Sequence, residues 1–222
     1  MYSIEQLAVE RCGRTIVSGI DLSIEPGWAL QIHGANGSGK TTLLSALAGL
    51  LPLARGRVCW RGDDVRRAPR QFRSELAYVG HANGVSDDLT VLENIRFAAL
   101  LGTADAPGGN DGRGGDDSIS REDEVLEQAG LHAHRHTRLS RLSQGQRRRV
   151  ALARLMLGRK PLWLLDEPGD ALDASATGWF TTCIDTHLRA GGIVALTTHR
   201  PLQSGAARTR HLYLERSGGC LK

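Results

Sequence analysis

The chain has 222 residues, of which 41% are hydrophobic and 23% charged, and it carries a formal charge of +4. A chain of that size forms one large domain or two small ones and buries about 70% of its unfolded surface without disulfide staples. The composition excludes a disordered or fibrous protein. No apolar run reaches the roughly 18 residues of a membrane span, and the modest charge lies below that of a dedicated nucleic-acid binder.

The start, Met1-Tyr2-Ser3-Ile4-Glu5, lacks the basic and apolar segments of a secretory signal. A cytosolic protein is expected, with any membrane contact made through a partner. Cys12, Cys59, Cys183 and Cys220 lie far apart with no Cys-x-x-Cys pair, which predicts free thiols. Nearly all basic residues are Arg, and Lys occurs only at 40, 160 and 222.

Ser3 to Val9, Thr15 to Ile24 and Ala29 to His33 read as strands, separated by turns at Arg11–Arg14 and Glu25–Gly27. A Gly-rich segment follows, then a short buried helix from Thr41 to Leu51. Gly56 to Gly62 and Glu75 to Val79 read as further strands. Leu89 to Leu101 carries apolar residues at helical spacing. Residues 102 to 120 hold six Gly and one large aliphatic residue, Ile119. Such a segment cannot offset its ordering entropy by burial, so a mobile insertion is expected, or a loop ordered by a partner.

Helical patterns resume at Arg121 to Ala129 and Gln144 to Leu157. Leu162 to Leu165 is a continuous apolar run, as a strand covered on both faces would be. Ala174 to Arg189 reads as a helix and Ile193 to Thr197 as another buried strand. Strands alternating with helices predict an α/β fold with a mainly parallel sheet.

Two motifs carry chemistry. Gly34-Ala35-Asn36-Gly37-Ser38-Gly39-Lys40-Thr41 matches the phosphate-binding pattern G-x-x-x-x-G-K-[ST], between a strand and a helix. Its glycines let successive N–H groups converge on phosphate oxygens, and the helix that follows adds its positive end. Lys40 is expected at the β- and γ-phosphates and the Thr41 hydroxyl on Mg²⁺. With Thr42, this segment is the predicted nucleotide-binding set. The second motif is Leu162-Trp163-Leu164-Leu165-Asp166-Glu167, an apolar strand ending in two acids. Asp166 is expected in the Mg²⁺ shell. Glu167, on the other side of the extended backbone, could polarise a water attacking the γ-phosphate.

Leu142-Ser143-Gln144-Gly145-Gln146 precedes an Arg- and Ala-rich helix. Here the chain resembles the ATP-binding-cassette ATPases, whose signature is L-S-G-G-Q. The order of phosphate loop, signature, strand-end acids and then His199 also matches, with Asp173 at the family's D-loop. The resemblance covers essentially the whole chain. It implies a P-loop cassette with a parallel core sheet, an N-terminal antiparallel β subdomain and an α-helical signature subdomain, here about residues 84–158. It also implies ATP as ligand and a head-to-tail homodimer with two ATPs between its subunits. Ser143 and Gly145 would then reach the γ-phosphate held by the partner's Lys40, and His199 would hydrogen-bond that phosphate and the attacking water. Catalytic work would fall to Lys40, Glu167 and His199.

Three positions depart from the family pattern. Gln144 replaces a Gly of the signature. His81 stands where a Gln usually follows an apolar strand. Arg11 stands near the usual adenine-stacking aromatic; its planar guanidinium can stack on a base, or it is an ordinary surface Arg. Within the family, the chain resembles the haem-exporter ATPases of bacterial cytochrome c maturation; the alternatives are an exporter ATPase for another substrate and, less so, a soluble cassette protein acting on nucleic acid or ribosomes. The features behind this resemblance are the short length, Trp60-Arg61-Gly62 after a Gly-x-Val strand, Tyr78-Val79-Gly80-His81, the run Leu142 to Arg149, and Leu196-Thr197-Thr198-His199-Arg200-Pro201-Leu202. That likeness implies docking on integral-membrane permease subunits at the cytoplasmic face of the inner membrane, acting indirectly on a periplasmic haem chaperone, with no nucleic-acid partner. His132, His134 and His136 could clip a metal if helical, or form a solvated turn. Arg147-Arg148-Arg149 reads as a nucleic-acid contact or as capping and snorkelling residues beside the nucleotide interface.

Overall fold

A computed structural model of the chain describes residues 1–103, 117–199, 208–215 and 218–221. These residues divide into two compact units. The first comprises Met1–Gly80, Pro161–Pro168 and the described part of Ile184–Lys222; the second comprises His81–Lys160 and Gly169–Cys183.

The first unit holds two sheets. β1 (Tyr2–Arg11), β2 (Arg14–Ile24), β4 (Arg55–Trp60) and the short β5 (Asp63–Asp64) form an antiparallel sheet in the order β2-β1-β4-β5. β3 (Trp28–Gly34), β6 (Leu76–Val79), β7 (Leu162–Asp166), β8 (Ile193–Thr197), β9 (Arg208–Glu215) and β10 (Gly218–Leu221) form the other, in the order β10-β9-β3-β8-β7-β6. Its pairings are parallel except for β10 against β9. β7 and β8 are buried along their whole length, which explains their unbroken apolar runs.

The helix α1 (Lys40–Leu47) joins the two sheets. Its Leu43, Leu44 and Leu47 share one core with Ile4 and Val58 of the antiparallel sheet and with Ile32, Leu164 and Ala195 of the parallel one. Tyr2, fully buried against Trp60 and Phe72, donates its hydroxyl proton to the Leu47 carbonyl at 2.6 Å. That bond satisfies one of the carbonyls a helix leaves unpaired at its end. The short α2 (Pro69–Ser74) supplies Phe72 and begins with Pro, whose fixed φ suits a first helical position.

The second unit is helical, with α3 (Val91–Thr103), α4 (Asp117–Gln128), α5 (Gln144–Leu157), and the first turns of α6 (Ala174–Arg189). Val91, Ile95, Leu126, Leu131, Leu139, Leu142 and Val150 form its core. α3 opens on a reciprocal cap: Glu93 accepts from the Thr90 N–H at 2.7 Å, and Thr90 Oγ1 accepts from the Glu93 N–H at 3.2 Å.

Several expectations shift. The expected insertion at 102–120 is narrower at both ends, since α3 runs to Thr103 and α4 starts at Asp117; residues 104–116 lie outside the described residues. The helix expected to reach Leu51 ends at Leu47, where the chain turns through Gly49 at φ +68°. Among the described residues Cys12, Cys59 and Cys183 are free thiols, and burial pushes Cys183 up to about 11. No helix among the described residues is long and apolar enough to cross a membrane.

Candidate active site

Parallel strands bring their C-terminal ends to one edge, the usual place for ligands in α/β sheets. Here β3 pairs with β8 and β8 with β7, with Ile32 beside Thr197 and Thr197 beside Asp166. The register therefore sets three segments side by side: the loop after β3, the Asp166–Glu167 pair after β7, and Thr198–His199 after β8. The Thr198 N–H donates to the Ile32 carbonyl at 3.1 Å, which holds the third segment against the first.

The loop after β3 is residues 34–39. Gly39 ends it at φ +97° as the N-cap of α1, and a Cβ there would lie 2.6 Å from Ile16 Cγ2, so only glycine fits. Ala35, Asn36 and Gly37 are exposed at the crest, and Ser38 is buried with its hydroxyl lacking a protein hydrogen-bond partner. α1 has no acidic residue in its first turn, so the positive end of its dipole is not neutralised from within the helix. Lys40, 5% exposed, donates from Nζ to the Gly34 carbonyl at 2.9 Å. This is a tight turn of backbone with a buried cation at its base, a cradle for an anion.

Glu167 meets that cation from the strand-end side. Its Oε1 lies 3.6 Å from Lys40 Nζ and 2.7 Å from His199 Nε2. Lys40, Glu167 and His199, far apart in sequence, thus converge within the first unit. Thr41, exposed at the start of α1, and Asp166, buried at the end of β7, add hard oxygen donors at the same strand edge. Among the described residues there is no cluster of three or more His, Cys, Asp or Glu able to hold a metal. An oxygen donor set of one hydroxyl and one carboxylate fits Mg²⁺, which takes the rest of its shell from phosphate and water.

Thr197 was not singled out in the sequence. It is fully buried, yet its Oγ1 accepts from the Glu167 N–H at 2.8 Å and donates to Asp166 Oδ1 at 2.6 Å. The signal available was a hydroxyl closing an otherwise apolar strand. His33, just before the loop, is also new: its Nε2 lies 2.9 Å from His211 Nδ1 and its ring stacks on Tyr213. Burial, and then the neighbouring His211, hold His33 below the ordinary imidazole value.

The signature residues lie in the second unit. Ser143 is the N-cap of α5: its Oγ accepts from the Gln146 N–H at 3.2 Å, while Gln146 Oε1 accepts from the Ser143 N–H at 2.9 Å. Gly145 passes so close to the next loop that a Cβ would lie 2.6 Å from the Ala171 carbonyl oxygen. Gln144 is exposed, so the departure from the family's glycine falls where a side chain has room. Asp173 accepts from the Ala176 N–H at 2.8 Å, capping α6, and pairs with Arg149 of α5 at 2.5 Å. Arg147 donates to the Ser140 carbonyl at 3.0 Å and Arg148 to Asn83 at 2.9 Å, so the three arginines are engaged within their own unit. His132–His134 form a single 3₁₀ turn, with His134 Nε2 3.0 Å from Gln146 Nε2. His81 and Arg11 are both exposed.

The sequence model of the ABC transporter family matches residues 17–170. The chain is 63% identical, over the full length of both, to the cytochrome c biogenesis ATP-binding export protein CcmA of Paraburkholderia xenovorans strain LB400. The protein of the same name from Pseudomonas aeruginosa is 40% identical over 94% of this chain and 98% of its own. Among solved structures, an ATP-binding subunit of an ABC transporter superposes with a TM-score of 0.84 at 20% identity, covering 99% of this chain and 89% of the other. A dimeric ATP-binding cassette in a post-hydrolysis state, bound to ADP and Pi, gives 0.80 at 23% identity, covering 98% and 96%. The chain belongs to the ATP-binding subunits of ABC transporters, with the cytochrome c biogenesis ATP-binding export proteins, and is an ATPase.

Proposed function

We propose that this ATPase drives a membrane exporter serving cytochrome c maturation, with haem as the transported or released group. Full-length identity of 63% to a cytochrome c biogenesis export protein carries this reading. The chain would sit on the cytoplasmic face of the bacterial inner membrane, docked on integral-membrane permease subunits, and act on a periplasmic haem chaperone only through them.

Geometry supports specific roles. Gly34 to Thr42 wrap the triphosphate with backbone N–H groups, and Lys40 neutralises its terminal oxygens. Thr41 and Asp166 are the residues that would hold Mg²⁺, and the ion would supply positive charge against the phosphates of the nucleotide. Glu167 accepts a proton from the attacking water as its oxygen bonds to the γ-phosphorus. The bond from that phosphorus to the bridging oxygen breaks, leaving ADP and inorganic phosphate. His199, hydrogen-bonded to Glu167, orients the water and the γ-phosphate. Ser143 and Gly145 act on the nucleotide of a second copy, where the start of α5 aims its positive end at the γ-phosphate. ATP then joins two copies, and cleavage of the γ-phosphate removes the contact that favours the joined state.

Purification of the chain from its native membranes, with identification of the co-purifying permease, tests the assignment. A haem-handling permease is the expected partner. A sugar or lipid permease would leave the ATPase intact and overturn the haem assignment.

A further inference from the structure

We propose that Thr197 is a positioning residue for ATP hydrolysis: its hydroxyl fixes the Asp166–Glu167 peptide so that the Glu167 carboxylate faces Lys40 and His199. The inference rests on the reading of Glu167 as the base. Glu167 sits at φ +48°, a left-handed backbone that residues with a Cβ rarely adopt. Such a conformation persists only where the surroundings enforce it, and it recurs at active sites. One contact that holds it is the Thr197 hydroxyl, which accepts from the Glu167 N–H at 2.8 Å.

The same hydroxyl donates its proton to Asp166 Oδ1 at 2.6 Å. One hydroxyl supplies one donor and two acceptor positions, so it makes both bonds at once. The β7–β8 register places Thr197 directly beside Asp166, and Thr197 has no solvent exposure. Burial fixes the hydroxyl's location and excludes competing water. Glu167 Oε1 is in turn held 3.6 Å from Lys40 Nζ and 2.7 Å from His199 Nε2. Among the described residues, the Thr197 hydroxyl bonds to the Glu167 N–H and Asp166 Oδ1 and not to Lys40 or His199. Its effect passes through the backbone of Glu167 and the carboxylate of Asp166.

Thr197→Val keeps the branched shape and removes the hydroxyl; Thr197→Ser keeps the hydroxyl and removes a methyl. Steady-state ATP hydrolysis by the full chain, affinity for a non-hydrolysable ATP analogue, and thermal midpoint are measured for each. The Val variant is expected to lose about ten- to hundredfold in kcat, with analogue affinity changed by less than about threefold. The Ser variant is expected to recover kcat to within about threefold of wild type. If Val fails to fold, Thr197→Ala against Thr197→Ser makes the same comparison. Wild-type kcat in the Val variant overturns the inference, as does a kcat loss that Ser does not recover or that analogue affinity matches. Glu167→Gln in the same assay separates the two readings. Full turnover by Glu167→Gln removes the base itself, whereas impaired turnover there beside a normal Thr197→Val removes only the role of Thr197.

Discussion

Glu167 shares one carboxylate oxygen between a buried cation and an imidazole. That arrangement suits a group that must accept a proton beside a phosphate and stay anchored while doing so. Glu167→Gln keeps the shape and removes the basicity, so ATP binding should persist while kcat falls about 10²- to 10⁴-fold; equilibrium binding and phosphate release measure the two separately. Gly145 has a different constraint. In Gly145→Ala the new methyl would sit 2.6 Å from the Ala171 carbonyl oxygen, a backbone atom with little freedom to yield. The expected cost is about 1–3 kcal/mol, read as a lower thermal midpoint. The phosphate loop and the strand-end acids were legible in the sequence because their spacing is local and each residue type has few other uses. Thr197 was not, because its meaning depends on which residue the neighbouring strand places beside it.

At the scale of elements, β3, β7, β8 and α5 read cleanly from apolar runs and helical spacing, while α2 and β9 did not. α2 is six residues long, too short for a periodic signal. β9 buries only Leu212 and Leu214 and carries arginines at its first and third positions. Arg210 gains its place in β9 by donating to the Ser23 carbonyl at 2.5 Å and stacking on Trp28, contacts made by folding and invisible in the local pattern. The cap of α5 predicts that Ser143→Ala costs about 1 kcal/mol, measurable by chemical denaturation. His187 of α6 stacks on Trp163 of β7 with ring centroids 3.9 Å apart. Burial lowers His187 from 6.5 to about 4, only partly opposed by hydrogen bonds with the backbone at Ile193 and Pro161. Between those values the unfolded chain binds the proton and the folded one does not. The site's contribution is therefore whole above pH 6.5 and is lost as pH falls toward 4, by about 3 kcal/mol at most. His187→Phe should flatten the fall of the thermal midpoint between pH 7 and pH 5; an unchanged slope would assign that fall to other groups.

The molecule as a whole carries the phosphate loop, Glu167 and His199 in one unit, and Ser143, Gly145 and Asp173 in the other. A single copy on this reading supplies a complete set of parts for two half-sites facing different nucleotides. The likeness to a cassette solved as a dimer with ADP and Pi concerns the fold, and the trans role proposed for Ser143 and Gly145 rests on the resemblance of Leu142–Gln146 to the family signature. Sedimentation of the Glu167→Gln chain with and without Mg-ATP tests that role most directly. The account predicts a nucleotide-dependent dimer that Ser143→Ala, built into the same background, weakens. A chain that binds ATP yet remains monomeric at every concentration, with its permease present as well as without it, would contradict it.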